Sequence, residues 1–265
     1  MIKLIASDLD GTLLQNGAQA ITPRAIELIK KLTDRGVRFV AASGRQYNSM
    51  KTLFAPIKDD ISFVCENGSL AIDHDEVLFR GGIDEDLVRR IITELLKQTQ
   101  FDITVSREDS MYVTKRSSAF IDHLRNEVHN DITPVDNLLD YSDKVIKIAI
   151  GSSVDGAHIV DKYQKHLQDM FGHEIKVVTS GNKWIDFIAP NTNKAIALEK
   201  LVEHYGIDPK DCIAFGDQYN DVEMLQYVGT SYAMANAAPG ISYYATDVTD
   251  SVEDVLEDIL SSLDD

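Results

Sequence analysis

The strongest constraint on how this chain folds is an apolar run, Ile2 to Ala6, that leads into two carboxylates, Asp8 and Asp10. A short run with one polar interruption predicts a buried parallel strand. Gly11 and Thr12 then provide a turn after the carboxylates. In open parallel sheets, ligands bind outside the carboxyl ends of the strands. We therefore expect Asp8 and Asp10 to lie at a functional edge of a sheet.

The spacing of Asp8 and Asp10 allows two interpretations. Residues i and i+2 of a strand face the same side, and a bend at Leu9 would let both carboxylates converge on one point. Paired carboxylates repel each other unless a cation or a shared proton lies between them. This favours a magnesium-assisted nucleophile with a general acid/base. An ordinary Asp-Gly turn is the alternative. The pair alone favours the turn, whereas the apolar strand before it and Gly11-Thr12 after it favour a catalytic site.

Composition limits the class of protein and its partners. The chain has 265 residues, enough for one large or two ordinary domains, and 44% of them are hydrophobic. No apolar stretch is long enough to span a bilayer, and the amino terminus has no secretory pattern. The net charge of −17 argues against nucleic acid and anionic membrane as partners. Cys65 and Cys212 lie in apolar runs, which predicts buried free thiols in a reducing cytoplasm.

Two further predicted strands end in small polar clusters. The strand Val37–Ala42 precedes Ser43-Gly44-Arg45. There the serine hydroxyl could meet a phosphate oxygen and the arginine could hold a substrate anion. A capped strand-to-helix turn explains this segment equally well. The strand Ile61–Cys65 precedes Glu66-Asn67-Gly68, in which Asn-Gly is first of all a turn signal.

The carboxyl-terminal part of the chain repeats this pattern. Asn193-Lys194 precedes a helix, where a cation is unfavourable against the helix dipole unless an anion bridges the two. A lysine beside unpaired backbone N–H groups could bind phosphate; an exposed lysine is the alternative. The strand Cys212–Phe215 runs into Asp217, Asn220 and Asp221. Their oxygens match the preferences of magnesium, and a capped helix start is the alternative.

The hydrophobic pattern also divides the chain. At Gly81-Gly82 a parallel-type pattern gives way to paired strands segregated from helices, and near Pro190 it returns. Paired strands with segregated helices predict an α+β unit with an antiparallel sheet. Thr22 and Asp84 are predicted helix N-caps. The other predicted elements of the middle and end of the chain are helices at 118–128, 154–171 and 251–260, strands at 101–105, 111–114 and 144–150, and a hairpin of 175–178 with 183–188.

Taken together and in order, five segments resemble the motifs of the haloacid dehalogenase-like hydrolase superfamily, and within it the Cof-type sugar-phosphatase branch. They are Asp8-Leu9-Asp10-Gly11-Thr12, Ala42-Ser43-Gly44-Arg45, Glu66-Asn67-Gly68, Asn193-Lys194 and Gly216-Asp217-Gln218-Tyr219-Asn220-Asp221. The resemblance implies an α/β fold with a Rossmann-like parallel-sheet core, residues 1–82 and 188–265, and an inserted α+β cap domain, residues 83–187. The family often has glycine directly after the lysine, whereas this chain has Ala195, which bears on how closely the backbone approaches there.

The resemblance also implies catalytic roles. Asp8 would be the nucleophile that forms an aspartyl phosphate. Asp10 would protonate the leaving group and then activate water. Ser43 and Lys194 would bind the phosphoryl oxygens.

A metal site and a set of substrate contacts follow from the same resemblance. Mg²⁺ would be held by Asp217 together with Asp8 and the backbone carbonyl of Asp10, while Asn220 and Asp221 would order its waters and the loop. The residues expected to contact the substrate are Leu9, Ser43, Gly44, Arg45, Asn67, Asn193 and Lys194.

The leading hypothesis is a magnesium-dependent phosphatase that acts on small phosphorylated metabolites, with sugar phosphates as the expected class. The expected assembly is a monomer or a homodimer in the cytoplasm. A phosphotransferase or mutase on the same fold is one alternative, and it would differ in excluding water from the aspartyl phosphate. A non-catalytic sensor of phosphorylated ligands is another, and the intact Asp8/Asp10 pair argues against it.

Overall fold

The structure is a computed structural model that describes residues 1–100, 102–115, 118–151, 159–180 and 184–263. The chain divides into two compact units. The first unit comprises Met1–Arg45, Met50–Phe79 and Asn193–Asp265, and the second comprises Gln46–Ser49 and Arg80–Thr192. The domain boundaries at residues 82/83 and 187/188 stay a prediction.

Fourteen strands occur within the described residues. They are β1 (Leu4–Ser7), β2 (Arg38–Ala42), β3 (Ser62–Cys65), β4 (Leu70–Asp73), β5 (Glu76–Arg80), β6 (Asp102–Ser106), β7 (Met111–Thr114), β8 (Ile132–Val135), β9 (Lys147–Gly151), β10 (Lys176–Ser180), β11 (Trp184–Ile188), β12 (Cys212–Gly216), β13 (Thr230–Met234) and β14 (Asp247–Thr249).

The same ranges contain eight α-helices. They are α1 (Pro23–Asp34), α2 (Tyr47–Leu53), α3 (Glu85–Leu95), α4 (Ser118–Asn126), α5 (Ile159–Phe171), α6 (Lys194–His204), α7 (Val222–Tyr227) and α8 (Val252–Ser262). None of the described helices combines the length and the apolar character that crossing a membrane requires.

A sheet with the order β14-β13-β12-β1-β2-β3-β4-β5 organises the first unit. Its strands from β14 to β3 run parallel, and β4 returns antiparallel to β3. Strand β1 lies between β12 and β2, and all four of its residues are buried, as its apolar sequence predicts. The carboxyl ends of these three strands therefore meet at one edge, which confirms the predicted α/β class.

Local signals place the helices that pack on this sheet. Thr22 caps α1, its hydroxyl accepting from the Ala25 N–H, and Pro23 occupies the first turn. The apolar stripe of α6, which includes Leu198 and Leu201, packs with strand residues such as Val40. The predictions for both helices are confirmed.

The second unit contains a sheet with the order β10-β11-β9-β6-β7-β8. Its core joins the apolar face of α3 to buried residues of β6, β9 and β11. The helix contributes Val88 and Ile91, and the strands contribute Val105, Ile148 and Phe187. Asp84 caps α3 as predicted, because its carboxylate accepts from the Leu87 N–H. The α+β character of this segment agrees with the sequence pattern.

Some elements of the second unit differ from the prediction. The predicted antiparallel sheet is mixed, because β7 and β8 are joined through α4 and therefore run parallel. Parts of three predicted elements, residues 154–158, residue 101 and the hairpin turn at 181–183, lie outside the described residues. Cys65 and Cys212 are buried free thiols, as predicted.

Candidate active site

Several site residues lie at one edge of the sheet, directly after the parallel strands β1, β2 and β12. Ser7 at the end of β1 pairs in register with Phe215 of β12 and Ala41 of β2. Asp8, Ser43 and Asp217 are the residues directly after β1, β2 and β12. Because β1 is the middle strand of the three, Asp8 lies between Ser43 and Asp217. The backbone N–H of Asp8 continues the ladder by donating to the Phe215 carbonyl at 3.0 Å.

Three carboxylates form the centre of the site. Oxygens of Asp8, Asp217 and Asp221 lie within 4.8 Å of one another, and all three residues are buried. The Asp217 carboxylate is held from two sides, by the Thr12 hydroxyl at 2.9 Å and by the Gln218 side-chain amide at 3.0 Å. Asp10 is expected to contribute its backbone carbonyl and Asn220 to order the waters of the metal, and both roles stay predictions.

Gly11 makes the approach of Asp217 possible. Its φ of +97° is a left-handed conformation that glycine adopts without strain. A Cβ atom at this position would lie 2.3 Å from Asp217 Oδ2. Gly11 is therefore required for two reasons, the left-handed turn after Asp10 and the close approach of the Asp217 carboxylate.

Lys194 neutralises part of the cluster. It is fully buried in the first turn of α6, and its Nζ donates to Asp8 Oδ1 at 2.5 Å and to Asp221 Oδ1 at 2.6 Å. A cation at the start of a helix is unfavourable against the helix dipole unless an anion lies nearby. The carboxylates of Asp8 and Asp221 are these anions. The alternative of an exposed lysine is wrong.

Asp221 is held on both of its oxygens. While Oδ1 accepts from Lys194, Oδ2 accepts the backbone N–H groups of Asp217 and Gln218 at 3.0 Å each. A carboxylate that receives an ammonium group and two N–H groups fixes the loop that carries Asp217. This geometry favours the ordering role expected for Asp221.

The charges of the cluster do not balance. Burial opposes the charge of Lys194, but the carboxylates of Asp221 and Asp8 outweigh it and hold the pKa of Lys194 above its ordinary value. Burial raises the pKa of Asp8 well above its ordinary value; Lys194 opposes this rise, while Asp221 and Asp217 add to it. The pKa of Asp217 is raised by burial and by Asp221. Three carboxylates against one ammonium leave an excess of two negative charges when all are ionised.

The residues present fit a magnesium ion. The donors are carboxylate oxygens, which Mg²⁺ prefers, and they converge from two strand ends. Burial raises the pKa values of Asp8 and Asp217, and the neighbouring carboxylates add to the rise; a divalent cation would offset the charge of those carboxylates.

Asp10 and Arg45 form an ion pair beside the cluster. The Arg45 guanidinium donates from Nε to Asp10 Oδ2 at 2.8 Å and from a terminal nitrogen to Oδ1 at 2.6 Å. This fork-to-fork geometry orients the Asp10 carboxylate. The Asp10 side chain is 50% exposed, so it can meet solvent and ligand, whereas Asp8 is buried.

The other predicted substrate contacts are placed as follows. Ser43 is buried and its hydroxyl accepts from the Arg45 N–H at 3.3 Å. The Leu9 side chain is fully buried, so a contact with substrate would come from its backbone. Asn193 caps α6 by accepting from the Ile196 N–H at 2.8 Å. The roles assigned to these residues stay predictions.

Gly44 and Asn67 lie together on the side of the site formed by β2 and β3. A Cβ atom at Gly44 would lie 2.9 Å from Asn67 Oδ1, and the same oxygen accepts from the Asn220 side-chain amide at 3.0 Å.

The two residues that hold the Asp217 carboxylate, Thr12 and Gln218, were not predicted as site residues from the sequence. For Thr12 the available signal was its place directly after Asp10-Gly11.

Comparison with known proteins gives a consistent result. The family model described as haloacid dehalogenase-like hydrolase matches residues 5–257. The 5-amino-6-(5-phospho-D-ribitylamino)uracil phosphatase YbjI of Escherichia coli is 31% identical over 91% of this chain and 88% of its own length. The HMP-PP phosphatase of Yersinia pestis is 29% identical over 90% of this chain and 86% of its own length.

The fold also matches a solved structure. The subclass IIB sugar phosphatase BT4131 superposes with a TM-score of 0.82 over 97% of this chain and 98% of its own, at 19% identity. At that identity the likeness concerns the fold.

Proposed function

Because this chain belongs to the haloacid dehalogenase-like hydrolases and is a phosphatase of small phosphorylated metabolites, we propose that it hydrolyses phosphate monoesters with Mg²⁺ through an aspartyl phosphate at Asp8. The observation that carries the proposal is the buried group of Asp8, Asp217 and Asp221, in which Lys194 bridges Asp8 and Asp221. Sugar phosphates are the substrate class to test first.

In the first step, Asp8 attacks the phosphorus atom and the bond from phosphorus to the ester oxygen breaks. Lys194 holds Asp8 Oδ1, so the nucleophile is oriented before substrate arrives. The ammonium group of Lys194 also reduces the repulsion between a carboxylate and an anionic ester. Ser43, at the end of the neighbouring strand, would donate its hydroxyl to a phosphoryl oxygen.

Asp10 would move the protons. It would donate a proton to the leaving oxygen in the first step and take one from water in the second, as a general acid that becomes a general base. Its exposure to solvent supports the second role. Arg45 would orient the Asp10 carboxylate through its two hydrogen bonds.

Mg²⁺ would be held by Asp8, Asp217 and the backbone carbonyl of Asp10, and it would supply charge neutralisation for the phosphoryl group. Asp221 would keep Asp217 in place through the loop whose N–H groups it binds.

The test is turnover of p-nitrophenyl phosphate and of a panel of phosphorylated sugars, with and without Mg²⁺. Magnesium-dependent release of inorganic phosphate supports the proposal, and absence of turnover with every ester contradicts it. If phosphate passes to an added alcohol or sugar in place of water, the phosphotransferase alternative replaces hydrolysis.

The segment 83–187 is proposed to be a separately folded insertion. The support is the mixed sheet and the self-contained core of the second unit. Limited proteolysis tests the borders, because cuts near Gly81-Gly82 and near Pro190 are expected before cuts inside either sheet.

A further inference from the structure

The turn Glu66-Asn67-Gly68 adopts a conformation that its sequence resists. Glu66, Asn67 and Gly68 have φ angles of 52°, 58° and 90°, three left-handed residues in succession. Glycine and asparagine enter this region with little strain, whereas glutamate does so rarely. All three residues are buried. Such strain persists only where the surroundings hold the backbone in place.

The backbone of this turn holds the loop after β2. The Asn67 N–H donates to the Ser43 carbonyl at 3.1 Å, and the Glu66 N–H donates to the Arg45 carbonyl at 3.0 Å. The carbonyl groups that accept these two hydrogen bonds flank Gly44 in the chain. The left-handed turn thus fixes the segment that carries two predicted phosphate and substrate ligands.

The side chain of Asn67 reaches a second loop. Its Oδ1 accepts from the Asn220 side-chain amide at 3.0 Å. Asn220 precedes Asp221, whose carboxylate binds Lys194 and the N–H group of Asp217. One residue of the turn therefore contacts both the loop after β2 and the loop after β12.

The turn also abuts the start of α6. A Cβ atom at Gly68 would lie 2.1 Å from the Asn193 carbonyl oxygen, so only glycine allows this approach. Lys194 follows directly.

We propose that Asn67 is a positioning residue that couples the loop Ser43-Gly44-Arg45 to the loop Asp217–Asp221, through its backbone on one side and its amide oxygen on the other. The expected contact of Asn67 with the substrate stays a prediction; its side-chain carbonyl accepts from Asn220. The catalytic consequence of this coupling rests on the phosphatase function proposed above.

The first test is hydrogen–deuterium exchange in the metal-free protein with the variant Asn67→Gly. Glycine keeps the left-handed backbone and removes only the side-chain amide. The matched control is Asn16→Gly, because Asn16 has a φ of 55°, is exposed and also precedes a glycine. Peptides that cover 43–45 and 217–221 should exchange about tenfold faster in Asn67→Gly and remain unchanged in the control.

Asn220→Ala removes the same hydrogen bond without altering the turn, so its hydrogen–deuterium exchange in the two loops tests the coupling if Asn67→Gly does not fold. The second test combines the two variants in a double-mutant cycle. With p-nitrophenyl phosphate and saturating Mg²⁺, each single variant should lose about tenfold in kcat/KM, and the double variant no more than either.

The outcomes separate the claims. Losses that multiply in the double variant, exchange that is unchanged in both loops, or exchange that rises over the whole chain would overturn the coupling. A wild-type protein without phosphatase activity would overturn the proposed function, and the exchange measurement would still decide whether Asn67 couples the two loops.

Discussion

Replacing Lys194 by methionine removes the cation from the buried cluster while keeping a long side chain. In the wild-type protein its Nζ lies 2.5 Å from Asp8 and 2.6 Å from Asp221, and no part of its side chain is exposed. Breaking a buried ion pair by removing one partner costs about 3–5 kcal/mol, because a buried charge is left uncompensated. For a chain of this size, that loss corresponds to a fall in Tm on the order of 10 °C.

The loss should depend on pH. Lys194 lowers the pKa of Asp8, which burial raises, so without the lysine the folded-state pKa of Asp8 rises further above that of the unfolded chain. A group with a raised folded-state pKa stabilises the fold below its unfolded-state pKa, and this contribution is lost as pH rises through the folded-state pKa. The deficit of Lys194→Met against wild type should therefore be smaller at about pH 5 than at about pH 8.

Urea unfolding at both pH values, in metal-free buffer, measures this deficit. The matched control is Lys200→Met on the same helix, whose 2.8 Å ion pair with Glu203 is on the surface. Because this pair is exposed to solvent, Lys200→Met should leave the free energy of unfolding nearly unchanged at either pH. If Lys194→Met is as stable as Lys200→Met at both pH values, the account of a charge-compensated buried cluster is refuted.

Three further outcomes are expected. The variant Asp8→Asn should abolish turnover of p-nitrophenyl phosphate and leave the circular dichroism spectrum unchanged, because an amide is a far poorer nucleophile; a folded variant with near-wild-type turnover contradicts this. EDTA should abolish activity, and Asp217→Ala should raise the magnesium concentration needed for half-maximal turnover or remove activity, whereas full activity in metal-free buffer argues against a metal site. Burial opposes ionisation of Asp73, but hydrogen bonds from the Tyr205 and Ser62 hydroxyls outweigh it and hold the pKa of Asp73 below its ordinary value. Asp73→Asn should therefore cost about 2 kcal/mol at neutral pH, and the deficit should shrink as pH falls through the folded-state pKa of Asp73; a deficit independent of pH contradicts the assignment.

Local signals predicted much of the fold. Thr22-Pro23 and Asp84 are N-caps followed by apolar stripes, and both helices begin where these signals place them. The strand before Asp8 is apolar and short, and it lies at the centre of a parallel sheet. Such features depend on neighbouring residues, so the sequence contains them directly.

Elements with weak local signals were not predicted. β8 contains Pro134, which argues against a strand, and it is found at the edge of its sheet, where proline is tolerated. β14 has three residues, of which two are exposed, and it has no apolar pattern. Helix α2 reads Tyr-Asn-Ser-Met-Lys-Thr-Leu and has no apolar stripe.

The site shows a further limit of local reasoning. An exposed lysine was the simplest interpretation of Lys194 alone, because the carboxylates that neutralise it lie 186 and 27 residues away in the chain. The link between Asn67 and Asn220 spans 153 residues. Only the strand order brings these groups together, and a single sequence does not give it without the resemblance to a family.

The central claim, a phosphoryl group carried by Asp8, is tested most directly by rapid acid quench followed by peptide mass spectrometry. Wild-type protein mixed with Mg²⁺ and excess substrate should show a peptide that carries one phosphoryl group on Asp8, formed before steady-state phosphate release and absent from Asp8→Asn. The label should disappear when substrate is exhausted. A phosphoryl group on another residue, or turnover by Asp8→Asn without any phosphorylated peptide, would contradict the account.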